Sequence, residues 1–193
     1  MPSENDFATL PDGQKLPFCI VLIGMAGTGK STVGKLLAEM MEWMHVDTDR
    51  LLEAYLGSSL KEFKDRAGLA DFLLAEEQVI SELMLNRCVI STGGSVIYSE
   101  SGMNRLKSMG PVIFLDATLQ TIQKRMSRFS LQSLAIAPGQ TLDDLYQERK
   151  PLYERYADTV VDTEHLSAHE TAEAVHAWVT SRYERIFSGE RDQ

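Results

Sequence analysis

The chain is expected to be an α/β protein, with a parallel sheet covered by helices on both faces. Two observations predict it. Short β-like apolar runs alternate with helical patterns along most of the chain, which is the order a parallel sheet requires. A glycine-rich loop, GMAGTGKST at Gly24 to Thr32, lies directly after a strand pattern and directly before a helix pattern. A length of 193 residues with 44% hydrophobic content is enough to bury one ordinary core.

Taken in order, residues 1–17 are polar, carry Pro2, Pro11, Gly13 and Pro17, and read as a poorly ordered extension. The folded domain is expected to run from 18 to 187, with 188–193 as a tail. It opens on the strand FCIVLI (18–23), then a helix from Lys30 to Met41 and a short strand WMHVD (43–47). Helical segments follow from Arg50 to Ala67 and from Ala70 to Leu85. In the second, Leu69, Phe72, Glu76, Val79 and Leu83 fall at helical spacing, so Glu76 sits in the apolar stripe, where an unpaired carboxylate is costly. Strands CVIST (88–92) and PVIFLD (111–116) are each succeeded by a helical pattern. RFSLQSLAIAPGQ, about 128–140, loses periodicity and ends in Pro-Gly, as a mobile flap or loop would. A helix from Thr141 to Tyr156, a strand TVVD (159–162) and a helix from Ser167 to Ile186 complete the domain.

The formal charge of −9 and a pI near 4.9 disfavour a broad nucleic-acid footprint, so any anion site must be local. Cys19 and Cys88 lie in β-like apolar runs, as reduced buried cysteines do. No segment approaches a membrane span and the N-terminus lacks signal-peptide character, so the expectation is a cytoplasmic protein with no membrane partner, acting as a monomer or weak homodimer.

The glycine-rich loop contains G-x-x-x-x-G-K-S in the required strand–loop–helix context. Its glycines let successive backbone N–H groups close around phosphate oxygens, and the helix N-terminus adds partial positive charge. Gly24, Ala26, Gly27, Thr28, Gly29, Lys30, Ser31 and Thr32 are the expected ATP-binding residues. Lys30 can reach the β- and γ-phosphates, and Ser31 can ligate Mg²⁺. Beyond the loop, VDTD places Asp47 and Asp49 at i and i+2 at a strand end, where an extended chain turns both carboxylates to one side. One can support the metal while the other orients or deprotonates a hydroxyl; the alternative is that Asp49 or Thr48 caps the helix beginning RLLEAYL. Gly93 and Gly94 turn at the carboxyl edge of the sheet, either to admit a ligand or only to supply a positive-φ connection. In QERKPLYERYAD, Arg149 is a candidate anion contact and Arg155 a solvated one.

Together, GMAGTGKSTVGKLLA, the Asp47-Thr48-Asp49 triplet, Thr92-Gly93-Gly94 and ERKPLYERYADTVVDT resemble the shikimate kinases, in order and spacing, from about Phe18 to Val179. The resemblance implies a three-layer P-loop fold of nucleoside-monophosphate-kinase type, with a five-stranded parallel sheet ordered 2-3-1-4-5 and a lid over ATP. It assigns phosphate binding to Lys30 and the Mg²⁺-linked hydroxyl to Ser31. Asp47 would hold the metal through water, Asp49 would be the acceptor-facing base, Arg125 would pack on adenine, and Arg149 would grip the substrate carboxylate.

The departures all concern the acceptor. The family's G-E-x-x-F-R-x-x-E segment falls on Gly68 to Glu76, so its arginine is Leu73 and its first glutamate Leu69. The lid's R-P-L-L falls on Gln132-Ser133-Leu134-Ala135, and the third glycine of GGG is Ser95. Two of three expected arginines are absent, a loss on the order of 2–5 kcal/mol for each buried anion contact. Arg149 for a carboxylate, Asp49 for a hydroxyl and Glu76 for a cation would together suit a small amino alcohol such as homoserine. The expected substrate-binding set is Asp49, Leu73, Glu76, Gly93, Gly94 and Arg149. Two alternatives stand beside this: a genuine shikimate kinase using other cations such as Arg128 or Lys124, and a non-catalytic ATP-binding regulatory module.

Overall fold

The computed structural model describes residues 18–127 and 134–183. The expected extension 1–17, the tail 188–193 and the first part of the flap, with Arg128, Gln132 and Ser133, lie outside the described residues.

Five strands form one parallel sheet in the order β2-β3-β1-β4-β5. They are β1 (Ile20–Ile23), β2 (Met44–Asp47), β3 (Cys88–Ser91), β4 (Val112–Asp116) and β5 (Thr159–Asp162). The seven helices of the described residues are α1 (Lys30–Met41), α2 (Thr48–Leu56), α3 (Leu60–Ser81), α4 (Glu100–Met109), α5 (Leu119–Met126), α6 (Leu142–Tyr156) and α7 (Ala168–Arg182). A single 3₁₀ turn, Val96–Tyr98, precedes α4.

The period-two pattern of a strand buried on both faces explains the layering. Cys19, Val21 and Ile23 point into a core shared with Ile80 of α3, Leu106 of α4, Ile122 of α5 and Tyr153 of α6. Phe18, Ile20 and Leu22 point the other way, onto Val33 and Leu37 of α1 and Val175 and Val179 of α7. A third apolar cluster, Leu52, Phe72 and Ala135 with Leu56, Leu60, Phe63, Leu69 and Leu73 around them, binds α2 and α3 to the chain that follows the flap. Cys19 and Cys88 are free and buried, and among the described residues no helix is long and apolar enough to cross a membrane.

Two local expectations need correction. The helical region after β2 breaks at Gly57 to Ser59, not at Gly68. Gly57 takes a left-handed conformation (φ 63°), and Ser59 starts α3 with a capping box to Glu62. Gly68 lies inside α3 as a kink, with φ 88° and ψ 172°, a backbone region open to glycine alone. The Asp47–Asp49 segment is not extended, because Asp47 is the last residue of β2 and the N-cap of α2, whereas Asp49 is already in the first helical turn.

Candidate active site

Because the sheet is parallel, every strand releases its chain on the same edge, and the candidate residues collect there. β1 runs into the phosphate loop, β2 into Asp47, β3 into Thr92 and Gly93, and β4 into Asp116 and Ala117.

In the phosphate loop, Gly24 and Gly27 take φ values of 144° and 84°. A Cβ on Gly24 would stand 2.5 Å from the Leu115 carbonyl oxygen, so no other residue fits there. Gly29 (φ 95°) caps α1, and its side chain offers nothing to the helix N–H groups, which suits them to an anion. Thr28 Oγ1 donates to the Met25 carbonyl (2.9 Å), and Lys30 Nζ donates to the carbonyls of Gly24 (2.8 Å) and Met25 (2.9 Å). Burial of this ammonium lowers its pKa to about 8, against the opposing pull of Asp49. Ser31 Oγ donates to Asp47 Oδ2 (2.6 Å), while Asp47 Oδ1 accepts from the Asp49 N–H (3.1 Å). A hydroxyl and a carboxylate side by side next to a phosphate cradle are the oxygen donors Mg²⁺ takes when phosphates and water complete its shell. Ala26 and Thr32 lie on the loop and the first turn of α1 with their backbone toward the same edge.

Below the loop, Ser91 Oγ donates to the Lys30 carbonyl (2.9 Å) and meets His45 Nε2 at 3.0 Å. Gly34 of α1 faces both side chains with no room for a Cβ, so α1 is pressed onto β2 and β3 at this point.

A second group lies around the glycine turn after β3. Neither Gly93 nor Gly94 has positive φ. Their reason is space: a Cβ on Gly93 would collide with the Glu76 carboxylate and stand 2.6 Å from Asp49 Oδ1, and one on Gly94 would stand 3.1 Å from Arg149 Nη1. Asp49, Glu76 and Arg149 therefore converge on two consecutive backbone positions. Burial and the Asp47 charge raise the Asp49 pKa to about 6, although Lys30 pulls it down. Burial raises Glu76 to about 7, with a hydrogen bond from Ser95 opposing the shift and Asp49 adding to it. Glu76 is 4% exposed, and its Oε1 has no hydrogen-bond partner among the described residues.

Arg149 is buried in α6, donates from Nε to Tyr98 Oη (3.1 Å) and from Nη2 to the Ala135 carbonyl, and stacks its guanidinium 5.1 Å from the Tyr98 ring centroid. Leu73 stands apart from these groups as part of the apolar cluster with Phe72 and Ala135. Arg125 is on the nucleotide side, donating to Thr163 Oγ1 (3.0 Å) and to the Thr163 carbonyl (2.8 Å). Lys124 and Arg155 are exposed.

Several contributors escape sequence reading. Thr48, between the two aspartates, is buried and accepts from the Gly93 N–H (3.0 Å). Tyr153 donates to the Gly94 carbonyl (2.5 Å); its place one helical turn after Arg149 was the available signal. Ser95 and Tyr98 act across the fold and leave no local pattern.

Fold and site together define a P-loop kinase of small molecules. The family described as shikimate kinase matches residues 26–180. A shikimate kinase from Thermodesulfovibrio yellowstonii is 36% identical over 173 residues, covering 88% of this chain and 97% of its own. A solved structure of shikimate kinase from Acinetobacter baumannii in complex with shikimate superposes with a TM-score of 0.76 at 26% identity, covering 93% of this chain and 98% of its own. One from Aquifex aeolicus gives 0.68 at 27% identity, covering 90% and 100%. The chain belongs to the shikimate kinase family. It is an enzyme of that kind, phosphorylating a hydroxyl with ATP and Mg²⁺.

Proposed function

We infer that the chain phosphorylates a hydroxyl of shikimate. The observation that carries this is the convergence at Gly93 and Gly94, where two carboxylates face one side of the turn and one guanidinium faces the other. Asp49 and the unpartnered Oε1 of Glu76 are acceptors for the hydroxyl groups of a polyol, and Arg149 is the partner of its carboxylate. The relative solved with shikimate bound supports the same acceptor.

MgATP supplies the phosphoryl group and the metal charge. The loop N–H groups and Lys30 hold the phosphates, while Ser31 and Asp47 hold the metal. Arg125, fixed to Thr163, borders the adenine side. Asp49 orients the acceptor hydroxyl and takes its proton, and Arg149 sets the distance by holding the carboxylate.

The homoserine reading draws on Leu73 and on Glu76 as a full negative charge for an ammonium group. Burial leaves Glu76 about half protonated near neutral pH, which weakens that charge argument. Nothing among the relatives favours homoserine.

The deciding measurement is ADP release with shikimate, homoserine, gluconate, nucleoside monophosphates and no acceptor. Shikimate should give the highest kcat/KM. If shikimate gives no more ADP than the blank, the assignment fails, and if no acceptor exceeds the blank, a non-catalytic module takes its place.

A further inference from the structure

The family arginine replaced by Leu73 leaves the acceptor carboxylate one cation short, and the structure holds another cation at that place. Lys64, on the N-terminal half of α3, is half-buried and donates from Nζ to the Leu134 carbonyl. Arg149 donates to the next carbonyl along, that of Ala135. Two cations from different helices thus end on consecutive peptides of one segment. Ala135 lies in the same apolar cluster as Leu73, so this is also where Leu73 packs.

The kink at Gly68 separates Lys64 from Glu76 within α3, so the two halves of the helix can approach the site at different angles. Side-by-side cations repel; burial and the Arg149 charge both make Lys64 give up its proton more easily. A carboxylate bridging them removes that repulsion and can accept from both. A carbonyl, which is neutral, gives way to it at little cost.

We propose that Lys64 is the second carboxylate-binding residue of the acceptor site, standing in for the arginine lost at Leu73. This rests on the acceptor being a carboxylate, as in the reading above. It makes the absence of that arginine a relocation of charge. The acceptor would be held by one cation from α6 and one from the first half of α3.

The test is steady-state kinetics of Lys64→Met, Lys64→Arg and the double variant Lys64→Met/Leu73→Arg, with shikimate and with its methyl ester. Lys64→Met should raise the KM for shikimate about ten- to hundredfold while moving kcat and the KM for ATP by less than about threefold. The ester, which lacks the charge, should show little further loss. Lys64→Arg and the double variant should each recover most of the affinity. An unchanged KM for the acid, or an equal loss for acid and ester, overturns the proposal. If another carboxylated alcohol proves to be the substrate, the shikimate reading fails, and the same variants measured on that alcohol and its ester still decide the role of Lys64. A substrate without a carboxylate overturns both.

Discussion

Asp49 and Lys30 titrate toward each other from opposite sides of neutrality. Below a pH of about 6, Asp49 is protonated and cannot take the hydroxyl proton; above about 8, Lys30 loses the charge that meets the phosphates. The free-enzyme kcat/KM should therefore be bell-shaped, with limbs near these values and a maximum near pH 7. A flat profile from pH 5.5 to 9 would contradict both roles. Glu76 allows a stability test. Its folded pKa of about 7 lies above the unfolded 4.5, so the native state binds its proton more tightly, and a penalty builds as pH rises from 4.5 to 7. Glu76→Gln should stabilise the ligand-free protein on the order of 1–3 kcal/mol at pH 8 and much less at pH 5, read from denaturant unfolding, while raising the acceptor KM. At this scale the sequence was most informative where chemistry is local. The lysine, serine and aspartates stand in short motifs with a known geometric need. Thr48, Ser95, Tyr98 and Lys64 act on partners 19 to 70 residues away, as with Gly93 for Thr48 and Leu134 for Lys64, and no local pattern marks them.

Helix α3 shows how an element can be legible in pattern and misread in extent. The spacing of Phe72, Glu76 and Ile80 correctly puts Glu76 on the buried stripe. The break was assigned to Gly68 because glycine is the common helix stop, although Ser59 and Glu62 form a readable capping box. Gly68 instead bends one continuous helix. A Cβ there meets nothing within 4 Å, so the cost of Gly68→Ala comes from backbone conformation alone. That substitution should destabilise by about 1–3 kcal/mol in chemical denaturation. It should also raise the acceptor KM more than the ATP KM, because the kink sets the angle between the two halves. Equal effects on both substrates would show that the kink does not serve the acceptor side.

Across the whole molecule, strand order and helix placement followed from the β-then-α alternation, because a parallel sheet leaves few ways to arrange it. The identity of the acceptor did not follow, because it depends on which charges meet at Gly93 and Gly94 from segments far apart in the chain. The Asp47 carboxylate belongs to both halves of the site. One oxygen takes the Ser31 hydroxyl at the start of α1, and the other takes the Asp49 N–H at the start of α2. The two substrates thus share a mechanical joint, and their affinities should be thermodynamically linked. Linkage is reciprocal, so whatever factor the nucleotide adds to acceptor binding, the acceptor must return to the nucleotide. Calorimetric titration of each ligand with and without the other should give one common factor. Asp47→Ala should bring that factor toward unity, making the two sites independent within a single fold.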